Sequence, residues 1–136
     1  MSLTPVLPDV NLLLAYGWHS HSKHEQCRSW LDSHTSFFTC PITELGFLRV
    51  SMSPGYRASM ADVMSVLNSI TQKDNSRFIH CEVPVSTIEK IMSYKETTDA
   101  YLVELSKAHS CKLATLDKAL VNSIWAKDIA YNPFCE

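Results

Sequence analysis

Four acids in this chain, Asp9, Glu44, Asp99 and Asp117, stand where one short apolar segment gives way to the next. Asp9 follows Val6–Leu7, and Glu44 lies one turn beyond Pro41. Asp99 precedes the apolar run through Leu102 and Leu105, and Asp117 follows Lys112–Thr115. Carboxylate oxygens are the donors that hard cations such as Mg²⁺ or Mn²⁺ prefer. Three or four of them converging would hold one or two ions able to polarise a phosphodiester, activate a water and stabilise a leaving oxygen. Packed together without a cation they would repel one another and take up protons, so such a cluster makes sense chiefly as a cation cage. Each acid alone also has a plainer reading. Aspartate is a preferred N-cap, and Asp9, Asp99 and Asp117 all stand at expected helix starts, while Glu44 suits a solvated helix face.

The elements that must position these acids follow from spacing. Val6–Leu7 reads as a short strand, and Val10, Leu12, Leu13 and Leu14 as a buried helix. Ser22 and Glu25 have capping-box spacing, which predicts a second helix from about Ser22 through Cys27, Trp30 and Leu31. Phe37–Cys40 is aromatic and bounded by Pro41, as in a strand feeding a helix with proline in its first turn. That helix carries Leu45, Phe47, Leu48 and Val50 and breaks at Ser53-Pro54-Gly55. Ser59 and Asp62 cap a helix with Met60, Val63, Met64 and Leu67 on one face. Phe78–Ile79 is a candidate strand, and Ser86 and Glu89 predict a helix bearing Ile88, Ile91 and Met92. Asp99 opens another helix, Lys112–Thr115 is a strand, and Ile129–Tyr131 a last one.

Short strands alternating with longer helices predict an α/β fold, a parallel sheet covered on both faces. Ligands in open sheets of that kind sit beyond the carboxyl ends of the strands, where all four acids are expected. A chain of 136 residues, 46% hydrophobic and 19% charged with three glycines, excludes disorder and collagen-like repeats and predicts one domain over residues 1–136. Its twelve basic and fourteen acidic residues give a formal charge of −2. That excludes a protein held to nucleic acid by bulk positive charge. Setting the four acids aside leaves a mildly basic remainder, which suits a metal-dependent nuclease with a local basic rim. Arg49, Arg57 and Arg77 would have to help supply that rim.

Other features invite chemistry less. Cys27, Cys40, Cys81, Cys111 and Cys135 are odd in number and widely spaced, which predicts free thiols in a reducing compartment. With Pro5 and Pro8 near the start and no long apolar run, neither a secretory signal nor a membrane span is expected, so the expected location is the cytoplasm. His19, His21 and His24, with Cys27 beyond, suggest zinc, but a fourth ligand is missing and the Ser22–Glu25 pair already accounts for the segment as a helix start. Trp18, Trp30 and Trp125 could stack on bases. Trp30, beside Leu31, is expected in the core, as are Met60 and Met64, unless these form a dimer seam. Cys40 has no histidine at useful spacing and is a poor nucleophile.

At these residues the chain resembles the PIN-domain family, and more narrowly the VapC-type toxins of toxin–antitoxin modules, from about Leu7 to Leu120. Leu7-Pro8-Asp9-Val10-Asn11-Leu12-Leu13-Leu14-Ala15 is similar to the family's opening strand and first acid. Thr39-Cys40-Pro41-Ile42-Thr43-Glu44-Leu45-Gly46-Phe47-Leu48-Arg49-Val50 resembles the helix with the second acid. Thr98-Asp99-Ala100-Tyr101-Leu102 resembles the third block, and Leu113-Ala114-Thr115-Leu116-Asp117-Lys118-Ala119-Leu120 the fourth. Four blocks in family order are a specific signal.

The resemblance implies a PIN-like three-layer α/β/α sandwich and a Mg²⁺- or Mn²⁺-dependent endoribonuclease. Asp9, Glu44, Asp99 and Asp117 would surround the metal, with Asn11 and Thr115 supporting them. It also implies an RNA substrate, a homodimer and a small VapB-type antitoxin partner. Two rival readings stay open at this stage. One is a housekeeping or DNA-directed PIN nuclease without an antitoxin; the other is a non-catalytic binding module in which the acids are only caps.

Overall fold

In the computed structural model, residues 4–134 are described; Cys135 lies outside them. The strands are β1 (Val6–Pro8), β2 (Phe37–Thr39), β3 (Ser76–Phe78), β4 (Lys112–Ala114) and β5 (Ala130–Tyr131). The helices are α1 (Val10–Gly17), α2 (His24–Asp32), α3 (Pro41–Met52), α4 (Met60–Thr71), α5 (Thr97–Ala108) and α6 (Lys118–Val121). All five strands are parallel, in the order β3-β2-β1-β4-β5. The expected α/β sandwich with helices on both faces is what the chain adopts.

Side-chain alternation builds the two outer layers. Val6 and Ala114 face a core shared with α1, α2 and α4, whereas Leu7 and Leu113 face a second core under α5 and α6. In α1 the five consecutive residues Leu12–Tyr16 are all buried, because α2, α3 and α4 pack around this helix. An apolar run without helical periodicity is the sequence signature of such a surrounded helix. Gly46 makes the α1–α3 contact close: a Cβ there would meet Val10 Cγ2 at 2.5 Å.

The strand order has a consequence for function. The chain runs outward from β1 through β2 to β3, then returns to place β4 on the other side of β1. Between β1 and β4 the connections leave in opposite directions, which opens a crevice at the carboxyl edge. The pair is tightly registered there, Pro8 opposite Ala114, with the Asp9 N–H donating to the Ala114 carbonyl at 2.9 Å.

Three local expectations are corrected. No α-helix starts at Ser86. The segment makes 3-10 turns at Val85–Thr87 and Tyr94–Glu96, and between them Lys90 adopts φ 64°, a left-handed conformation that interrupts a helix. Val85 and Met92 are 71% and 89% exposed, so no packed surface rewards a helix there. The second helix begins at His24 rather than Ser22, its N-cap is Lys23, and the Ser22–Glu25 box does not form. The His21 ring accepts the Lys23 N–H instead, at 3.0 Å. Met60, expected in the core, is 54% exposed; α4 buries Val63, Leu67 and Ile70.

Among the described residues no helix is long and apolar enough to cross a membrane. Cys27, Cys40, Cys81 and Cys111 are free thiols. The tryptophans pack inward: Trp18 lies flat on Phe47 and donates to Ser51 Oγ, and Trp30 and Trp125 each rest against a core.

Candidate active site

The crevice between β1 and β4 gathers three of the four acids. Asp9, directly after β1, is the N-cap of α1, with its Oδ1 accepting the Leu12 N–H at 2.9 Å. Asp117, three residues beyond β4, is the N-cap of α6 and accepts from Ala119 and Leu120. Asp99 comes from the opposite layer, as the third residue of α5. The expectation that Asp99 is an N-cap is corrected, because the cap position belongs to Glu96 and α5 starts two residues earlier. A carboxylate that caps nothing, half-buried against two others, has no evident structural task.

Asp9 is 3% exposed. Burial pushes its carboxyl up to about 7; hydrogen bonds from Thr115 and Leu12 oppose the rise, and the charges of Asp99 and Asp117 add to it. The Asp99 carboxyl is raised as well, by burial and then by Asp117. No lysine or arginine enters the balance at either residue. Asp9 and Asp99 are thus raised by burial and by neighbouring acids with no cationic side chain opposing the rise, and the donors of the cluster are all oxygens. That donor set fits a hard divalent cation. No three of the four acids have ligand atoms mutually within 4.8 Å, as repulsion between like charges on separate elements favours.

Thr115 ties the cluster together. Its hydroxyl donates to Asp9 Oδ2, and its oxygen accepts the Asp117 N–H at 2.9 Å. One buried side chain thus orients both the β1 and the β4 acid. Glu44, in the first turn of α3, is held separately: the Thr39 hydroxyl at the end of β2 donates to its Oε2 at 2.8 Å. β2 is the neighbour of β1, so Glu44 reaches the same sheet edge. Asn11 is exposed and makes no hydrogen bond to the acids among the described residues; it lines a surface cleft with Asp117, Lys23 and His21.

Thr39 went unremarked in the sequence as a supporting residue. Its signal is the parallel with Thr115, a buried threonine at a strand end beside an acid. Arg49 lines an apolar groove of about 520 Å³ with Thr97 and Thr98, next to Asp99 in sequence. Arg57 and Arg77 are turned to the carbonyls of Pro54 and Asp74. Lys23 lines the cleft that holds Asp117, and Lys118 follows Asp117 in the sequence.

The histidine segment also needs correction. His19 and His24 do come together, with Glu25 as the third member: their ligand atoms all lie within 4.8 Å of one another. His21 is not part of this group.

A family model described as PIN domain matches residues 6–122. A curated Mycobacterium tuberculosis protein, Ribonuclease VapC38, is 35% identical over 118 residues, 82% of this chain and 84% of its own length. Among solved structures, Mycobacterium tuberculosis VapC20, described as a sarcin-ricin loop cleaving toxin, superposes with TM-score 0.63 at 12% identity, over 85% of this chain and 92% of its own. Rickettsia felis VapBC2 bound to a promoter DNA fragment gives TM-score 0.61 at 13% identity, over 94% and 98%. These structural likenesses show the fold.

Proposed function

This chain belongs to the PIN-domain family, in its VapC-type branch, and on that premise we propose that it is the endoribonuclease toxin of a toxin–antitoxin module. In this reading residues 1–136 form a single catalytic domain in the cytoplasm that hydrolyses phosphodiester bonds in RNA. Asp9, Glu44, Asp99 and Asp117 hold Mg²⁺ or Mn²⁺, and Thr115 supports them, with Asn11 in the cleft beside Asp117 rather than bonded to an acid. The observation that supports the reading is the meeting of Asp9, Asp99 and Asp117 at the crevice between β1 and β4, where burial and neighbouring acids raise the Asp9 and Asp99 carboxyls.

A divalent ion bound there supplies Lewis acidity to a phosphodiester and stabilises the charge on the leaving oxygen. The protein's own contribution is positional. Thr115 fixes the Asp9 carboxylate and the Asp117 backbone relative to one another, so little reorganisation is needed when substrate arrives. Thr39 aims Glu44, which is placed to bind the ion or to orient an attacking water. Lys23, in the cleft with Asp117, and Arg49, in the groove with Thr97 and Thr98, are the cations proposed to attract the phosphate backbone. The reading of the acids as caps alone is disfavoured by Asp99, which caps nothing.

The partners follow from the same reading. The VapBC2 name of the Rickettsia felis structure supports a VapB-type antitoxin, and the apolar groove beside Arg49 could accept one of its helices. A homodimer is proposed on the family resemblance. The test is cleavage of single-stranded RNA by the purified full-length chain with Mg²⁺, with EDTA, and with Asp99→Asn. Cleavage only in the first condition is expected. Cleavage in EDTA, or undiminished cleavage by Asp99→Asn, would reject the assignment. Growth arrest on induction, relieved by a neighbouring small gene, tests the toxin role separately.

A further inference from the structure

We propose that His19, His24 and Glu25 form a second cation site, remote in chemistry from the acid cluster, that takes a borderline divalent metal of the Zn²⁺ class. His24 is the anchor. It is 5% exposed, and its Nδ1 lies 2.9 Å from the Ala15 carbonyl oxygen. A carbonyl only accepts, so Nδ1 carries the proton and Nε2 carries the lone pair. That Nε2 is sealed from solvent and has no hydrogen-bond partner. A buried polar atom left without a partner is costly, and a metal ion is the partner that suits it. An imidazole whose other nitrogen donates to a backbone carbonyl is also the arrangement that fixes a metal-binding tautomer.

The other two ligands are at hand. The His19 and His24 rings stand 4.3 Å apart between centroids, and the ligand atoms of all three residues lie within 4.8 Å of each other. Around a tetrahedral Zn²⁺ with ordinary bond lengths, neighbouring ligand atoms are about 3.3 Å apart. His19 and Glu25 are exposed and free to close that gap, while His24 stays fixed. Two imidazoles and one carboxylate, with solvent completing the fourth position, favour Zn²⁺ over the hard ions that suit the acid cluster. Arg28 and Lys73 line the same cavity as the histidines, yet both are turned to Asp32, at 3.9 and 3.4 Å. Their charge is thereby partly offset. His19 lies in the turn after α1 and the other two ligands in the first turn of α2, so the ion would clip these helices together.

The test is calorimetric titration of the full-length protein with Zn²⁺ in excess Mg²⁺, which keeps the acid cluster occupied. One Zn²⁺ per chain is expected, with affinity weakened at least about tenfold in His19→Ala and His24→Gln and unchanged in Asp99→Asn. Because His24 is buried, its variant could fail to fold; His19 is exposed, and His19→Ala decides alone. Absence of Zn²⁺ binding by the wild type, equal affinity in His19→Ala, or loss of the ion in Asp99→Asn would each overturn the proposal. None of these outcomes depends on RNA cleavage.

Discussion

The Thr115 hydroxyl donates to the Asp9 carboxylate across the β1–β4 pair, and the same oxygen receives the Asp117 backbone N–H. A residue 106 positions away in the chain thus sets the direction of the first acid. Both acids keep a cap bond to their own helix, so the Asp9 carboxylate is held from two sides and Asp117 by its backbone N–H and its cap. A site assembled this way has little freedom to reorganise, as catalysis by fixed charges requires.

Replacing Thr115 with valine keeps the volume and removes both bonds. We expect RNA cleavage to fall about 10–100-fold, the usual cost of losing a group that orients a ligand. Stability should drop by about 1–3 kcal/mol as the buried Asp9 oxygen and the Asp117 N–H lose their partner. Thr115→Ser, which restores the hydroxyl, should recover most of the activity. Cleavage rates and denaturant unfolding of the two variants check this.

Asp99→Asn should reduce cleavage by at least about a hundredfold, more than loss of a supporting contact, because it removes a proposed ligand. Stability should not fall, since Asp99 caps no helix and its charge is repelled by Asp117. Matching circular dichroism and an unchanged or higher melting temperature would separate this outcome from misfolding.

The buried Asp9 carboxyl also makes stability depend on pH. Its folded value, about 7, lies above its ordinary value of 3.8. Below about pH 4 the group is protonated in both states and imposes no penalty. As the pH rises from there towards 7 the unfolded chain releases the proton first, so the folded state loses stability, by up to roughly 4 kcal/mol. The metal-free protein should therefore melt at a lower temperature near pH 8 than near pH 5. Asp9→Asn keeps a good cap residue and should flatten that slope. Thermal unfolding in EDTA at both pH values measures it.

Gly46→Ala should disturb the site from outside. The new Cβ would press on Val10 Cγ2 at 2.5 Å, and valine has few rotamers with which to yield. Val10 follows Asp9, and Gly46 is two residues from Glu44 on α3. We expect a loss of about 1–3 kcal/mol together with reduced cleavage, read by unfolding and by RNA turnover.

By itself the sequence determined the alternation of short strands and helices, the proline that starts α3, and the placing of acids at element ends, because these are local preferences repeated along the chain. The family order of its four blocks also fixed which acids to compare. Tertiary structure alone decided which acids share a crevice, since that depends on β4 returning to the far side of β1. It also decided what local rules mispredicted. The Ser22–Glu25 box yields to the anchoring of His24 on the Ala15 carbonyl, which sets where α2 begins. The helix expected after Ser86 fails because exposed Val85 and Met92 have no surface to pack on. The bond from Thr39 to Glu44 and the place of Glu25, rather than His21, beside His19 and His24 are not legible in the sequence for one physical reason: these contacts are made in space, between segments whose local spacing satisfies a simpler explanation.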